Sequence, residues 1–312
     1  MTADVPRTVR VFREAGPQGR LLLHDGRRLL DLSDHLIQHG HPTDVIDLAE
    51  HGWFDEGQLA PRLPAANAAT DAGDVTDEWT PVDVAWDGNA PANIGLPIPR
   101  AAVGKILALG RNFRAHAEEF GEEVPAEPLF FNKLPETLVP HRAVVTVPAW
   151  YEGRVDHEAE LCVVIGLEGR GITPEDAMEH VAGYTVANDL TARTIQGADR
   201  KEQYPWFRSK NMDGFCPLGP CFVPRDFLDI GDLAVTASVA GTVRQSASTR
   251  QFVVDVPHAI SWLSRHLTLH PGDLVLMGTP AGVGPLEDGD EVCCAVEGIG
   301  ELVTSILRPE DE

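Results

Sequence analysis

Two glutamates one residue apart, Glu158 and Glu160, stand at the start of an apolar run that ends at Gly166. The run 161–165 is rich in β-branched residues, which predicts a buried strand. Successive side chains on a strand point to opposite faces, so the two carboxylates share a face about 7 Å apart. They repel each other unless a cation lies between them, and hard divalent cations prefer oxygen ligands. The pair indicates a site for Mg²⁺, Mn²⁺ or Ca²⁺, with two solvated charges at a strand end as the alternative.

A second pair, His116 and Glu119, has the three-residue spacing that puts both side chains on one face of a short helix. A carboxylate that hydrogen-bonds an imidazole fixes its tautomer and raises its basicity, which suits a general base acting on water. An ordinary surface His–Glu pair is the alternative. Lys133 follows Phe130 and Phe131, which is typical of a lysine whose stem packs on apolar side chains.

The elements that must position these residues are mostly short strands. Strands are predicted at 106–109, 184–187, 274–277, 290–297 and 301–307. Helices are predicted at 173–181, which begins with Thr173-Pro174, and at 256–267, and the segment 197–209 is expected to be a mobile loop at the mouth of the site. The strands do not alternate regularly with helices. The fold class predicted is therefore α+β and dominated by β-structure.

The N-terminal third carries no motif that we can attach to chemistry. A hairpin is predicted at 20–32 around the turn Asp25-Gly26, and a short helix at 45–49 after the cap Thr43-Asp44. A change in composition between residues 75 and 103 separates a small β-rich module, 1–95, from a main domain, 100–308. Packing or dimer support is the role expected for the module.

Composition limits the classes of partner. The chain has 312 residues, of which 43% are hydrophobic, and a formal net charge of −23, which disfavours nucleic acid and anionic membranes as partners. No apolar stretch approaches the ~20 residues of a membrane span, and the N-terminus lacks a secretion signal, so we expect a cytoplasmic protein. The five cysteines are odd in number and lack metal spacing, so we expect free thiols.

Four motifs resemble the fumarylacetoacetate hydrolase family in combination. They are GRNFRAHAEE at 110–119, the glutamate strand VDHEAELCVVIG at 155–166, GYTVANDLTARTIQ at 183–196 and SKNMDGFCPLGP at 209–220. PGD at 271–273 and GTPAGVG at 278–284 also fit, so the resemblance covers about 100–308. Three positions depart from the family pattern, with Phe113, Thr194 and Leu134 where Tyr, Asp and Pro are usual. These departures put the substrate in doubt rather than the metal.

The resemblance implies a distorted β-roll with Mg²⁺ or Mn²⁺ held by two glutamates and an aspartate. The residues that match those roles are Glu158, Glu160 and Asp189 for the metal; His116, Glu119 and Lys133 for catalysis; and Arg111, Arg193, Gln196, Lys210 and Thr279 for substrate binding. The His–Glu dyad belongs, in the family, to a lid over the substrate. Asp189 could also cap a short helix at 190–192. A homodimer is expected by resemblance.

The activity implied is metal-assisted chemistry on a small anionic 2-oxo acid through an enolate. Hydrolysis of a carbon–carbon bond in an acylpyruvate-type or fumarylacetoacetate-like substrate is the first expectation. The alternatives are isomerisation of 2-hydroxy-dienedioates, decarboxylation of β-keto acids and dehydration of sugar acids on the same site. A metal-binding protein without catalytic activity is a more distant alternative.

Overall fold

Two large β-sheets account for most of the regular structure in the computed structural model, which describes residues 8–16, 19–63, 79–85 and 90–309. The strands are β1 (Arg10–Arg13), β2 (Leu21–His24), β3 (Leu29–Asp31), β4 (Ile106–Gly110), β5 (Leu129–Lys133), β6 (Leu138–Val139), β7 (Val144–Thr146), β8 (Val155–Asp156), β9 (Ala159–Ile165), β10 (Val181–Asn188), β11 (Thr191–Ala192), β12 (Cys216–Pro224), β13 (Ala234–Val239), β14 (Thr242–Ser248), β15 (Leu274–Leu276), β16 (Glu291–Val296) and β17 (Gly300–Leu307). The helices are α1 (Leu32–Gln38), α2 (Val45–Glu50), α3 (Glu56–Leu59), α4 (Arg114–Glu119), α5 (Arg193–Lys201), α6 (Phe207–Lys210) and α7 (Val256–His266).

The larger sheet, formed by ten of the described strands, runs β3-β2-β1-β12-β10-β9-β15-β4-β5, with β6 paired to β12. A five-stranded sheet runs β14-β13-β16-β17-β7, and β11 pairs with β8 in a small ribbon. Most neighbours are antiparallel, and the parallel pairs are β15–β4, β17–β7 and β12–β6. This mixture of sheets with few helices confirms the β-dominated α+β class.

The glutamate strand β9 lies inside the larger sheet between β10 and β15 and is buried along its whole length. Its side chains alternate between two cores. Leu161 and Val163 join residues of the five-stranded sheet such as Val235, while Cys162 and Val164 join the N-terminal residues. Burying an aliphatic side chain of this size stabilises the fold by about 1.5–3 kcal/mol relative to exposure. The strand that begins with the metal-ligand candidates is therefore held from both faces.

The N-terminal strands continue the larger sheet. The predicted hairpin is confirmed, with Leu23 opposite Leu30, and β1 pairs with β12 through Val11 and Phe222. The predicted helix is confirmed as α2, whose N-cap Asp44 accepts a hydrogen bond from the backbone N–H of Ile46 at 2.8 Å. The division into a module and a main domain stays a prediction, and part of its proposed boundary lies outside the described residues.

The helix predicted at 173–181 is wrong. Residues 177–180 form one turn of 3₁₀ helix, and the chain enters β10 at Val181. The Thr173 hydroxyl bonds the Asp176 carboxylate at 2.9 Å and accepts from its N–H, so the helix-start signal builds a turn instead. Pairing of Val181 with Ile165 in the core outweighs the local preference for a helix.

The loop predicted at 197–209 is wrong over most of its length, because α5 extends to Lys201 and α6 begins at Phe207, which leaves 202–206 as the loop. Asp199 is buried on α5, and its carboxylate accepts hydrogen bonds from the Arg208 guanidinium at 2.6–3.0 Å. This ion pair joins the two helices.

In the described part of the chain, we find no helix with the length and apolar character needed to cross a membrane.

Candidate metal and substrate site

Three buried carboxylates meet at one edge of the larger sheet. Oxygen atoms of Glu158, Glu160 and Asp189 lie within 4.8 Å of one another. The register explains why, because Ala159 lies opposite Asn188, so Asp189 leaves β10 beside the two glutamates. The Asp189 N–H donates to the carbonyl of Glu158 at 2.9 Å, and the Asn188 side-chain oxygen accepts from the Glu158 N–H at 2.9 Å.

Two lysines compensate part of this negative charge. The Lys210 ammonium lies 2.8 Å from Glu158 and 2.5 Å from Asp189, and the Lys133 ammonium lies 2.7 Å from the other Asp189 oxygen. Arg193 also contacts Glu158. Although burial opposes ionisation, Lys210 and Arg193 hold the pKa of the Glu158 carboxyl well below its usual range. Both lysine side chains are almost completely buried, as expected for charges that are paired.

Glu160 has a different environment. Its carboxylate accepts a hydrogen bond from the Gly278 backbone N–H at 2.6 Å. Burial, together with the negative charges of Asp189 and Glu158, raises the pKa of Glu160 well above its usual value. A divalent ion among the three carboxylates would relieve this repulsion, and the donor set consists of the hard oxygen atoms that Mg²⁺ and Mn²⁺ prefer. The three side chains therefore fit the predicted metal site.

The predicted dyad lies on α4, close to the carboxylates. His116 Nδ1 is 3.2 Å from a Glu119 oxygen, and Glu119 in turn accepts the N–H of Gly282 at 3.1 Å. The Phe120 ring packs against the imidazole at 5.3 Å between centroids. Glu119 is thus held on one side by backbone, and it fixes the orientation of the imidazole.

A single cavity brings most of the predicted site residues together. Its lining includes Arg111, His116, Glu158, Glu160, Asp189, Arg193, Gln196, Lys210 and Thr279. Glu119 and Lys133 lie behind this lining, where Glu119 contacts His116 and Lys133 contacts Asp189. The alternative role considered for Asp189, a helix cap, is wrong, because Thr191 and Ala192 form β11 instead of a helix.

Several predicted substrate contacts are already engaged by the protein. The Arg193 guanidinium bonds Asp156 at 2.8 Å and the Gln196 side-chain oxygen at 2.6 Å, besides its contact with Glu158. The Thr279 hydroxyl donates to the carbonyl of Ala159 at 2.9 Å. These groups hold the metal-ligand candidates in place, whatever further contacts they make to a substrate.

At the outer part of the cavity, the predicted residue Arg111 belongs to a cluster with two residues that the sequence did not indicate, Glu122 and Arg200. Glu122 lies between the guanidinium groups of Arg111 and Arg200 and contacts both. Burial lowers the pKa of both arginines. Trp206 completes the wall, with its ring 5.9 Å from the Arg111 guanidinium. Arg200 lies within the segment 197–209 that is predicted as a loop, whereas the structure places it on α5.

Comparison with known proteins identifies the family. The profile described as fumarylacetoacetate (FAA) hydrolase C-terminal matches residues 105–307. The chain belongs to the fumarylacetoacetate hydrolase family. Among its relatives, a mitochondrial oxaloacetate decarboxylase of Dictyostelium discoideum is 41% identical over 62% of this chain and 89% of its own length.

Solved structures of the fumarylacetoacetate hydrolase family share the fold. The fumarylacetoacetate hydrolase of the psychrophile Exiguobacterium antarcticum superposes with a TM-score of 0.77 at 28% identity, over 97% of this chain and 100% of that one. A fumarylpyruvate hydrolase of Pseudomonas aeruginosa, solved with Mn²⁺ and pyruvate, is 36% identical with a TM-score of 0.64, over 66% of this chain and 91% of that one. The predicted family and its β-roll fold are confirmed.

Proposed function

We propose that this protein is a divalent-metal-dependent enzyme that hydrolyses a carbon–carbon bond in an acylpyruvate-type or fumarylacetoacetate-like 2-oxo acid. One observation carries the proposal: the buried carboxylate triad and His116 line the same cavity, and Glu119 orients His116. Two of the similar proteins named above, the fumarylpyruvate hydrolase and the oxaloacetate decarboxylase, are named for substrates that contain a 2-oxo acid unit.

Glu158, Glu160 and Asp189 would hold the metal. When bound there, Mg²⁺ or Mn²⁺ supplies Lewis acidity to the 2-oxo acid and a template for its orientation. The protein must hold the three carboxylates in place before the ion binds. Lys210, Lys133 and the Gly278 N–H perform this task through the contacts described above.

His116 supplies the base. Because Glu119 engages Nδ1, the neutral imidazole presents Nε2 as the acceptor for a proton from water. The water oxygen adds to the distal carbonyl carbon, and the bond between that carbon and the neighbouring methylene carbon then breaks. Its electron pair passes to the pyruvate part as an enolate, which regains a proton from the imidazolium.

The buried lysines favour this separation of charge. Lys210 and Lys133 are fixed beside the carboxylates, so they provide positive charge without reorganisation as the enolate forms. One well-placed donor in such a site lowers a barrier by ~3–4 kcal/mol. Phe120 and Phe131 contribute apolar surface to the cavity wall, and such surface lowers the local dielectric and strengthens electrostatic interactions.

The outer part of the cavity favours a substrate with a second negative charge. Arg111 and Arg200 share the carboxylate of Glu122, so the site is already shaped around a carboxylate at this point. Arginine suits such planar recognition because its fork of donors matches the two carboxylate oxygens. A second carboxylate on the substrate would compete with Glu122 for these two side chains.

Decarboxylation of a β-keto acid is the second candidate, favoured by the similarity to the Dictyostelium oxaloacetate decarboxylase. This reaction passes through the same pyruvate enolate, but carbon dioxide leaves and no water attacks a carbonyl carbon. His116 would then serve at most to return a proton to the enolate. The two candidates therefore predict different consequences of removing the imidazole.

The deciding experiment compares acylpyruvates, oxaloacetate and sugar 2-keto acids in the presence of Mg²⁺ or Mn²⁺, with products identified by NMR. Hydrolysis that falls by at least about 100-fold in His116→Ala, within the range of general-base contributions, would support the first candidate. Oxaloacetate loss that survives this substitution would support the second. Absence of metal-dependent turnover across the whole panel would reject both.

A cytoplasmic homodimer is our proposal for the assembly. Exposed apolar side chains lie near one edge of the five-stranded sheet. Val144 on the edge strand β7 is 60% exposed, Leu307 at the end of the neighbouring β17 is 44% exposed, and Trp150, shortly after β7, is 69% exposed. An apolar edge of this kind suits a second copy of the chain as partner. The net charge of −23 opposes nucleic acid or an anionic membrane as alternatives. A monomeric mass by light scattering would contradict the dimer.

A further inference from the structure

Gln245 is a buried polar side chain on the edge strand β14. It lies on β14 between residues that face solvent, with Val243 65% exposed, yet its own side chain is fully buried. Amide side chains are seldom fully buried, because each buried donor and acceptor must find a partner. The hydrogen bonds of the Gln245 amide explain its burial.

A closed ring of hydrogen bonds surrounds Ala159, the residue between the two metal-ligand glutamates. The Ala159 N–H donates to Gln245 Oε1 at 3.0 Å, and Gln245 Nε2 donates to the Thr279 hydroxyl at 2.7 Å. The Thr279 hydroxyl then donates to the Ala159 carbonyl at 2.9 Å. Both backbone polar groups of Ala159 on this side are therefore satisfied by side chains.

The ring replaces a missing strand. β15 ends at Leu276, and the Met277 N–H makes the next bond, to the carbonyl of Leu161 at 3.0 Å. The chain then turns at Gly278, whose φ of +87° belongs to the left-handed region that favours glycine. Beyond this turn, Ala159 would face the loop without a ladder partner, and a buried unpaired backbone group costs about 1–3 kcal/mol.

The same amide also fixes a neighbouring imidazole. Its second donor bond goes to the carbonyl of Pro280 at 2.7 Å, so both hydrogens of Nε2 are used and Oε1 must be the acceptor. His157 Nδ1 lies 3.1 Å from that oxygen. The neutral His157 therefore carries its proton on Nδ1, although a free imidazole more often carries it on Nε2.

We propose that Gln245 is a positioning residue that sets the spacing between the metal-ligand strand and the loop 278–282. This loop contacts both halves of the site, because Gly278 N–H bonds Glu160 and Gly282 N–H bonds Glu119. Gln245 joins β14 to this loop and to Ala159. One buried amide therefore fixes the position of the metal ligands relative to Glu119, which orients the base His116. The role rests on the proposed metal site.

The first test measures Mn²⁺ affinity by calorimetry in Gln245→Met and Gln245→Glu. Met keeps the shape and removes all four hydrogen bonds, whereas Glu keeps the acceptor and loses the donors to Thr279 and Pro280. We expect Gln245→Met to weaken Mn²⁺ binding about 10- to 100-fold, as for other residues that orient metal ligands, and Gln245→Glu to fall between it and the wild type. Unchanged affinity, within twofold, in both variants would overturn the proposal.

Ser264→Ala is the matched control. Ser264 is equally buried and makes two hydrogen bonds, from the Ile172 N–H and to the Ser261 carbonyl, but it lies on α7 away from the site. We expect its melting temperature to fall while its Mn²⁺ affinity stays within twofold of wild type. An equal loss of affinity in this control would reduce the role of Gln245 to general stability and would reject positioning.

Two further measurements keep the test independent of folding yield and of turnover. In the metal-free wild type, the nitrogen shifts of His157 should report the Nδ1–H tautomer, and the Nε2–H tautomer would contradict the geometry. With an active substrate, Gln245→Glu should lower kcat more than it raises KM, and a change in KM alone would oppose positioning. Weakened Mn²⁺ binding in an enzyme that turns over no 2-oxo acid would support this role and reject the proposed function.

Discussion

At the scale of single residues, the site is an arrangement of charges that the protein alone does not balance. Glu158 is stabilised in its ionised form by Lys210 and Arg193, whereas Glu160 is protected from water and faces two other carboxylates. The difference follows from environment and not from residue type. It identifies Glu160 as the ligand whose ionisation depends most on a bound cation.

Glu160 should make the metal-free protein less stable at higher pH. Its pKa is raised in the folded state, so above about pH 4.5 the unfolded chain has lost a proton that the folded protein still binds. Stability then falls as pH rises toward the folded pKa and levels off above it. In Glu160→Gln this contribution is absent, so the metal-free variant should be more stable than wild type at the upper end of that window. Thermal melts after chelation, from pH 5 upward, measure the difference.

Mn²⁺ should reverse the order of thermal stability of wild type and Glu160→Gln. The ion stabilises whatever folded state binds it, so wild type should gain melting temperature with added Mn²⁺ and Glu160→Gln should gain far less. Glu291→Gln, at an exposed position on β16, is the control and should follow wild type in both conditions. A Glu160→Gln protein that melts below metal-free wild type throughout the pH series would contradict the charge repulsion inferred here.

At the scale of elements, local patterns predicted those parts of the site whose geometry lies within one segment. The alternation of Glu158, just before β9, with Glu160 on β9 depends only on the period of extended chain, and the spacing of His116 and Glu119 on α4 depends only on the period of a helix. The place of Asp189 depends on the pairing of β9 with β10, and residues alone left a helix cap as an alternative. The structure resolves that choice, because Thr191 and Ala192 form β11.

Contacts between distant segments were beyond local patterns. Arg200 and Glu122 meet only because α5 continues to Lys201, and Gln245 reaches Ala159 from the other sheet. Arg200 and Glu122 are 78 positions apart, and Gln245 and Ala159 are 86 positions apart. Neither contact therefore has a signature in sequence spacing. Tertiary packing decides them.

The α5–α6 connection should be weakened by Arg208→Ala. The substitution leaves the buried Asp199 carboxylate without its ionic partner, although the 64% exposure of the Arg208 side chain limits the cost. We expect a lower free energy of unfolding, measured in urea. Because α6 also carries Lys210, kcat should fall as well.

Arg250→Ala offers a matched comparison for this ion pair. Its partner Asp232 is exposed and the two atoms lie 3.3 Å apart, so the pair belongs to the surface class that contributes less than about 1 kcal/mol. Equal destabilisation by the two substitutions would show that the Asp199 pair does not act as a connection between helices.

At the scale of the whole molecule, the N-terminal residues form part of the same structure as the site. β1 covers the edge of β12 through the Val11–Phe222 pair, and the N-terminal helices pack on the face of the sheet that carries Cys162 and Val164. These residues lie next to the strand that begins with the metal ligands. A role in support of the fold follows, although residues 8–16 and 19–63 contribute nothing to the lining of the cavity.

Removal of residues 1–95 should therefore impair metal binding without removing any ligand. The truncated chain exposes the edge of β12 and an apolar face that includes Phe222, which favours aggregation and loosens β9 and β10 between their two cores. We expect a lower melting temperature, oligomers larger than those of the full chain by light scattering, and weaker Mn²⁺ binding by calorimetry. If the truncated chain stays as stable and binds Mn²⁺ as tightly as the full chain, the main domain is independent and the N-terminal residues serve another purpose.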